Sequence, residues 1–318
     1  MTTKLPPPRV RSFEIILPAT SANLGPAFDT AALALKLFLK VRATASDDYS
    51  IRATGRDADI CGHVENHLIL TTYREVLQSA GKVAKPLSLH ISNDIPIGKG
   101  CGSSAAARLA GIALAVFFGR LPWTDSRIIG EASRREHHAD NAAACWLGGI
   151  TLARMANENE SQTVRVIPKG KWPLVLAIPD QSLSTEKARQ VLPGQYSRED
   201  AVTNIQNSMF LLAALMQGRP DLMSVALEDR LHQPYRSSLC PLLPVLHEMQ
   251  TNSGILGVAL SGAGPSVLIF VAPRASLAAA RARVQKHLRA AGLSAELIST
   301  TITERGGSSS TRSLKRIL

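Results

Sequence analysis

The apolar and polar positions in the first half of the chain predict strands around a polar loop. Residues 12–17 and 31–43 have the pattern of strands. The segment between them, 18–29, contains Asn23, Gly25 and Pro26, which are typical of a loop. A further strand predicted at 86–95 is followed by a glycine-rich segment and then by an alanine-rich run of strong helix formers. This order predicts a glycine loop that leads directly into the N-terminus of a helix.

The rest of the pattern predicts a second domain. Thr124 can cap a helix that runs to about residue 138 and is followed by a turn at 138–141 and a strand near 149–154. Beyond residue 163 the pattern predicts, in order, strand 174–178, helices 197–216, 222–231 and 242–252, hairpin 257–271, helix 275–291 and strand 294–301. We therefore expect an α+β fold with a first domain at 1–163 and a second domain at 164–304.

The composition is that of a globular chain with a large core. The 318 residues are 45% hydrophobic and 19% charged, which suits two domains. The longest mostly apolar run, 109–118, is about half of the roughly 20 residues that cross a bilayer. Residues 1–11 lack the features of a secretory signal, and the four cysteines have no disulfide or zinc spacing. We expect a cytoplasmic protein without a membrane partner.

Positive charge is spread along the chain rather than concentrated. The formal net charge is +11, but the lysines and arginines form no basic run interleaved with aromatic residues. A nucleotide substrate accounts for this charge more simply than a nucleic acid, so we expect no nucleic-acid partner. Residues 305–318 are rich in glycine, serine and basic residues, and this composition predicts a disordered tail.

The glycine loop carries the strongest chemical signal in the sequence. It consists of Pro96, Ile97, Gly98, Lys99, Gly100, Cys101, Gly102, Ser103, Ser104, Ala105 and Ala106. The spaced glycines let the backbone approach an anion, and the following helix directs free N–H groups and its positive dipole end toward it. The serines could simply cap the helix, but a hydroxyl can also bind Mg²⁺ or a phosphate oxygen. We expect a triphosphate site, although the spacing matches neither a Walker A loop nor a dinucleotide fingerprint.

Three motifs in this order resemble the superfamily of galactokinase, homoserine kinase, mevalonate kinase and phosphomevalonate kinase, the GHMP kinases. The glycine loop is similar to the P-x-[GA]-x-G-x-G-S-S-A motif, PATSANLGPAFDT to the N-terminal motif of homoserine kinases, and GVALSGAGPSVLIF to the C-terminal glycine motif. Ala27, Ala32 and Cys101 depart from the usual residues without removing a polar group. The resemblance implies an N-terminal domain like domain 2 of ribosomal protein S5, a ferredoxin-like C-terminal domain and ATP between them.

Two glutamates on the helix before residue 138 are candidate metal ligands. Glu131 and Glu136 each fall on a helix face with apolar neighbours, so each needs a cation partner, either Mg²⁺ or an arginine of the same helix. The family pattern, roughly E-G-H-P-D-N, aligns Glu136 with the magnesium-binding glutamate. The resemblance therefore implies Mg²⁺ on Glu136 and Ser104, with Glu131 as the reserve.

The same pattern aligns His138, Asp140 and Asn141 with the catalytic turn of the family, although His137 and Ala139 replace its usual glycine and proline. Asn141 stands where mevalonate kinases have an aspartate base, and an amide cannot take a proton. The resemblance thus implies chemistry that relies on positioning and charge stabilisation, with Asp140 as a possible base. By itself, His138 could equally be a hydrogen-bonded structural histidine.

An acceptor site for homoserine needs an anion for the ammonium group, an arginine for the carboxylate and amides for orientation. Asp29 and Asn23 in the first loop and Asn141 in the turn are candidates for two of these roles. The segments 184–193 and 228–236 resemble homoserine kinase segments whose arginines grip the substrate, which points to Arg189 and Arg236. By spacing alone, Arg189 could lie on a solvated helix face and Arg236 in a loop salt bridge.

The resemblance as a whole implies an ATP- and Mg²⁺-dependent kinase that phosphorylates the side-chain hydroxyl of L-homoserine, a step of threonine biosynthesis. The main alternative is a sister kinase for another small alcohol, such as mevalonate or shikimate. A member of the superfamily that binds a ligand without catalysis is a second alternative. The chain could assemble as a homodimer, which the sequence does not decide.

Overall fold

The first domain is built on a six-stranded sheet. A computed structural model describes residues 12–249 and 254–312. The strands are β1 Ser12–Ala22, β2 Ala31–Ala45, β3 Ser50–Gly55, β4 Leu87–Asn93, β5 Ile150–Met155 and β6 Ser161–Val166. They follow the order β3-β4-β2-β5-β6, with β1 paired antiparallel to β2 and with β3 parallel to β4.

Helices cover this sheet and position the glycine loop. They are α1 Ala58–Cys61, α2 Leu68–Ser79, α3 Ser103–Gly119, α4 Asp125–Glu136 and α5 Asp140–Leu147. The alanine-rich α3 is buried on most sides, because it contacts α2, α4, α5 and β1. Thr124 caps α4 as predicted, since its hydroxyl accepts a hydrogen bond from the N–H of Arg127.

The second domain has the strand order of a ferredoxin-like sheet. Its strands, β7 Pro173–Ile178, β8 Ile255–Leu260, β9 Val267–Val271 and β10 Glu296–Thr301, are antiparallel in the order β10-β7-β9-β8. Its helices are α6 Thr185–Gln190, α7 Arg198–Gln217, α8 Met223–Ala226, α9 Gln233–Arg236, α10 Leu242–His247 and α11 Leu277–Ala290. The predicted two-domain α+β fold and the predicted hairpin at 257–271 are confirmed.

Alternation along β7 joins the two domains through one apolar core. Leu174 and Leu176 belong to the apolar cluster that combines the first-domain core with residues of α7 and α8, whereas Val175 and Ala177 pack with residues of α10 and α11. The chain then returns to the first domain after β10, where Ile302 forms an isolated bridge with Leu35. The loops at the boundary between the two domains therefore lie between well-packed elements of each domain.

Some predicted boundaries are wrong because tertiary contacts override local composition. β1 continues past Pro18 to Ala22, since a bulge at this point lets the polar-looking residues keep pairing with β2. The helix predicted at 222–231 is reduced to the short α8. β6 runs to Val166 in the first sheet, beyond the predicted boundary at 163. The elements β3, α2 and α5 have no counterpart in the predicted pattern.

The predicted disordered tail is wrong for its first residues. Residues 305–312 return to the first domain and end in α12 Ser308–Arg312. Gly306 and Gly307 are buried against Trp146, and a Cβ on Gly307 would lie 2.9 Å from the indole ring. The glycine-rich composition predicts disorder, but here the glycines are buried because they have no side chain and so fit closely against Trp146. Residues 313–318 lie outside the described residues.

The helices of the described ranges are all too short or too polar to cross a bilayer.

Candidate active site

The glycine loop lies at the seam between the domains, against the turn of the β8–β9 hairpin. Gly98, Gly100 and Gly102 have φ values of 70°, 75° and 70°. A Cβ on Gly100 would lie 2.2 Å from the carbonyl oxygen of Ser261, and a Cβ on Gly102 would lie 1.9 Å from Oγ1 of Thr20. Gly100 and Gly102 are therefore required both for the backbone conformation and for the close approach of their neighbours.

Hydrogen bonds fix this loop to both other motifs. The hydroxyl of Ser261 donates to the carbonyl oxygen of Gly100 at 2.8 Å, and the N–H of Thr20 donates to that of Cys101 at 3.0 Å. Lys99 donates to a backbone carbonyl of the second domain at 2.5 Å. Burial raises the pKa of Cys101 to about 12, so its thiol stays protonated and serves as a packing group. The three motifs of the resemblance meet at one place.

The loop offers a matched pair of glycine substitutions. Gly100→Ala should lower the free energy of unfolding by at least about 2 kcal/mol more than Gly98→Ala. Both substitutions place alanine in the left-handed region, but the nearest atom to a Cβ on Gly98 is the hydroxyl oxygen of Ser182 at 3.4 Å. Urea unfolding of the two variants measures the difference. Equal losses would mean that strain in φ dominates and that the contact with the hairpin is unimportant.

Ser104 and Glu136 meet at the N-terminus of α3. The hydroxyl of Ser104 donates to Oε1 of Glu136 at 2.5 Å, and Nε of Arg108 donates to the same oxygen at 2.5 Å. Glu136 ends α4, and His137 takes over the left-handed position there with φ 64°. This histidine stands where the family has glycine, so the helix ends at the usual place despite the substitution. The pair places a hydroxyl and a carboxylate beside the glycine loop.

Glu131 has a different environment one and a half turns earlier in α4. It is buried, and its Oε1 accepts hydrogen bonds from Arg134 at 2.8 Å and from Arg135 at 2.7 Å. Burial raises the pKa of Glu131, but the two arginines outweigh this effect and lower it. Glu131 does not line the cavity that contains Glu136. Of the two possible cation partners, Glu131 therefore has the arginines of its own helix, whereas Glu136 lines the cavity.

The turn after α4 forms a connected set of side chains. Oδ1 of the buried Asp140 accepts hydrogen bonds from the N–H of Asn141 at 2.6 Å and lies 3.1 Å from Nδ1 of His138. Burial lowers the pKa of His138, but Asp140 more than compensates, and the net shift is upward. Oδ1 of Asn141 accepts the hydroxyl hydrogen of Thr20 at 2.6 Å. The turn is therefore braced against β1 directly behind the glycine loop.

In the first loop, Asn23 and Asp29 have different surroundings. Nδ2 of Asn23 donates to the carbonyl oxygen of Gly262 at 2.8 Å, and its Oδ1 accepts the N–H of Asp29 at 3.0 Å. Asn23 therefore shapes the loop through both ends of its amide. Asp29 forms a two-point ion pair with Arg189, at 2.7 Å and 3.0 Å. The groups predicted to bind the ammonium and the carboxylate of the substrate are thus paired with each other.

Arg236 is a buried guanidinium with 1% of its surface exposed. Its Nε donates to the carbonyl oxygen of Ala188 at 2.9 Å, and one terminal nitrogen donates to Nδ1 of His232 at 3.1 Å. The ion pairs formed by the described residues do not include Arg236. Burial, together with the nearby Arg189, lowers the pKa of Arg236. A buried charge of this kind is costly unless an anion pairs with it.

Two cavities meet at the glycine loop. The smaller has a volume of about 120 Å³ and the larger about 840 Å³. Gly98, Ser103 and Ser104 line both. The walls of the larger cavity come from residues 59–69, which contribute both apolar and polar side chains, and from β4, and only this cavity of the two has room for a nucleoside. The smaller brings together most of the predicted polar groups: Asn23, Asp29, Glu136, His138, Asp140, Asn141, Arg189 and Arg236.

The sequence pattern misses part of both cavities and includes some residues that line neither. Pro96, Lys99 and Ala106 belong to the predicted phosphate-binding segment but line neither cavity. Thr185 lines the smaller cavity, and its segment 184–193 was singled out in the sequence for its arginine alone. The residues 59–69 carry no motif, so no pattern in the sequence marks them as the wall of a large cavity.

Both domains of the chain resemble known proteins. Residues 67–149 match the model of the GHMP kinases N terminal domain, and residues 211–290 match that of the GHMP kinases C terminal domain. The chain is 42% identical to a homoserine kinase of Solibacter usitatus, over 92% of this chain and 96% of the relative. It is 40% identical to a homoserine kinase of Synechocystis sp., over 81% of this chain and 85% of the relative.

A solved structure has the same fold. The crystal structure of homoserine kinase from Cytophaga hutchinsonii superposes with a TM-score of 0.78 at 24% identity, over 96% of this chain and 99% of that chain. At this identity the structural likeness concerns the fold, and the sequence relatives carry the family assignment. With both domains matched and these relatives aligned over most of their length, the chain belongs to the homoserine kinase family of the GHMP kinases.

Proposed function

We propose that the protein transfers the γ-phosphoryl group of ATP to the side-chain hydroxyl of L-homoserine. The observation that carries the proposal is Arg236, a buried guanidinium without a carboxylate partner among the described residues, in the same small cavity as Asp29 and the glycine loop. Such a cavity favours a ligand with a carboxylate, and Asp29 favours one with a cation as well. An α-amino acid supplies both charges, whereas mevalonate and shikimate have no ammonium group.

The nucleotide spans the two cavities in this proposal. Its adenosine lies in the larger cavity, and its phosphates lie on the N–H groups of the glycine loop and of the first turn of α3. Ser104 and Glu136 would hold Mg²⁺. Their oxygens lie 2.5 Å apart and supply two protein ligands, which suits an ion that takes most of its ligands from phosphates and water. When bound, Mg²⁺ would neutralise charge on the phosphates. Arg108 keeps the carboxylate of Glu136 in place.

Binding of the acceptor substrate replaces the ion pair between Asp29 and Arg189 with two ion pairs to the substrate. Asp29 and Arg189 are already held at 2.7 Å, so a ligand with a single charge would leave one of them without its partner. A zwitterion gives the ammonium to Asp29 and the carboxylate to Arg189 and Arg236, so every charge remains paired. Discrimination against singly charged alcohols follows from this exchange.

The chemical step needs positioning more than a strong base. The substrate oxygen bonds to the γ-phosphorus as the bond from that phosphorus to the β,γ-bridging oxygen breaks, and the hydroxyl proton is lost. Asn141 has its Oδ1 engaged by Thr20 and cannot take this proton. Asp140 uses Oδ1 to brace the turn, which leaves its Oδ2 as the carboxylate oxygen for the proton.

The reaction can be tested by coupled measurement of ADP release with homoserine, mevalonate, shikimate and galactose. We expect Mg²⁺-dependent turnover with homoserine and O-phosphohomoserine as the product, with far less turnover on the other alcohols. Robust turnover on a different alcohol would overturn the substrate assignment and leave a kinase. ATP binding without turnover on any of them would favour a non-catalytic member.

A place in threonine biosynthesis, assembly as a homodimer and a cytoplasmic location stay predictions of the sequence.

A further inference from the structure

His232 is a fully buried imidazole that forms one hydrogen bond with α9 and one with the first loop. Its Nδ1 lies 3.1 Å from a terminal nitrogen of Arg236, and its Nε2 lies 2.8 Å from the carbonyl oxygen of Gly25. Its ring stacks on Phe28 with the centroids 5.2 Å apart. The sequence marks this histidine as part of a family-like segment but assigns it no role.

The two partners of His232 determine its tautomer. A guanidinium can only donate, so Nδ1 must accept from Arg236; a carbonyl oxygen can only accept, so Nε2 must carry the hydrogen. Burial lowers the pKa of His232 to about 4, and Arg236 adds to this effect while Asp229 opposes it. The imidazole is therefore neutral near pH 7, and both hydrogen bonds form together.

These bonds connect the two halves of the acceptor site. Arg236 belongs to α9 of the second domain, and Gly25 belongs to the first loop, which also carries Asp29. Phe28 completes the connection, since the guanidinium carbons of Arg189 and Arg236 lie 5.6 Å and 5.3 Å from its ring centroid. One imidazole thus contacts both the first loop and the arginine of α9.

We propose that His232 is a positioning residue that orients the guanidinium of Arg236 through the hydrogen bond at Nδ1, and so sets the preference for a free carboxylate. This inference rests on the proposed function, in which Arg236 binds that carboxylate. A purely structural role for His232 would require only a side chain that fills the space. The buried N–H of Arg236, which needs an acceptor, favours the positioning role.

Two near-isosteric variants separate the bonds of His232. In His232→Asn, Oδ1 stands near the place of Nδ1 and still accepts from Arg236. In His232→Gln, the amide nitrogen stands near the place of Nε2 and still donates to the carbonyl of Gly25, but the acceptor for Arg236 is lost. Comparing the variants tests the bond to the arginine against simple filling of the space.

The readout is the ratio of kcat/KM for homoserine to that for homoserinol, in which a hydroxymethyl group replaces the carboxylate. His232→Gln should lower this ratio roughly 10- to 100-fold through a higher KM for homoserine, with the KM for ATP nearly unchanged. His232→Asn should retain most of the ratio. Equal losses of the ratio in both variants, or a ratio that neither variant changes, would overturn the proposal.

If His232→Gln does not fold, as thermal unfolding would reveal, His232→Leu takes its place. Leucine fills the space without burying an unpaired amide, removes the same acceptor and should lower the same ratio. Failure of the proposed function is distinguishable, since wild-type enzyme would then lack activity on homoserine or any preference for it over homoserinol. If the wild type prefers homoserine over homoserinol and both His232→Gln and His232→Leu keep that preference, the positioning role of His232 is excluded and the proposed function stands.

Discussion

Glu136→Gln and Ser104→Ala should each lower kcat by roughly 100-fold or more, because in the proposed site each would remove one preorganised contact to Mg²⁺ and the phosphates, worth about 3 to 4 kcal/mol in the barrier. Both side chains stand at the N-terminus of α3 with their oxygens 2.5 Å apart. Neither change removes apolar packing, so both variants should stay folded, although Glu136→Gln also gives up the ion pair with Arg108. Steady-state kinetics with saturating homoserine, together with urea unfolding, measures both effects.

Glu131→Gln is the matched control on the same helix. Glu131 is bonded to Arg134 and Arg135 and lies outside the small cavity. We expect a loss of stability, since breaking a buried pair leaves a charge without its partner, and a kcat close to that of the wild type. If Glu131→Gln loses most of its kcat while Glu136→Gln keeps the wild-type kcat, Glu131 rather than Glu136 is the metal ligand.

Arg236→Leu should cost about 2 to 5 kcal/mol in kcat/KM for homoserine, because it would break the proposed desolvated pair between the guanidinium and the substrate carboxylate. The wild type should discriminate strongly against homoserinol. The variant should lose little further activity on homoserinol, so that the double cycle of mutation and substrate trimming gives a large coupling energy.

Arg189→Leu should behave likewise with a smaller coupling energy. Its guanidinium is already paired with Asp29 and more than a third exposed, whereas that of Arg236 has no carboxylate partner among the described residues. Arg198→Leu, at the exposed start of α7, serves as a control that changes the same charge outside the cavities. Additive losses for both site arginines would place them outside the carboxylate site, and the preference for homoserine would then rest on the ammonium side.

Sequence patterns within short segments predicted the glycine loop, the helix after it and the hairpin that contacts it. The spaced glycines, the helix that follows them and the hairpin at 257–271 are recognisable because turn chemistry and periodicity are properties of short segments. The same holds for the cap at Thr124 and for the long helix α7, which Ser197 caps. Resemblance in three ordered motifs then supplied the strand order of the second domain, which periodicity alone does not give.

Contacts between distant segments decided the rest. Both glutamates of α4 have apolar neighbours on their helix faces. The contact with Ser104 of α3 distinguishes Glu136 from Glu131, which pairs with arginines of its own helix. The polar residues of β1 after Pro18 resemble a loop until a bulge lets them pair with β2.

By itself, the sequence determined which chemical groups the protein has and the local backbone that presents them: a glycine loop before a helix, a turn with a histidine, an aspartate and an asparagine, and two candidate arginines. The tertiary structure alone decided which of these groups meet, that Arg236 is buried beside His232, and that residues 59–69 form the wall of a large cavity. The physical reason is that burial and charge pairing depend on residues far apart in sequence, and desolvation gives the same side chain a different role in each surrounding.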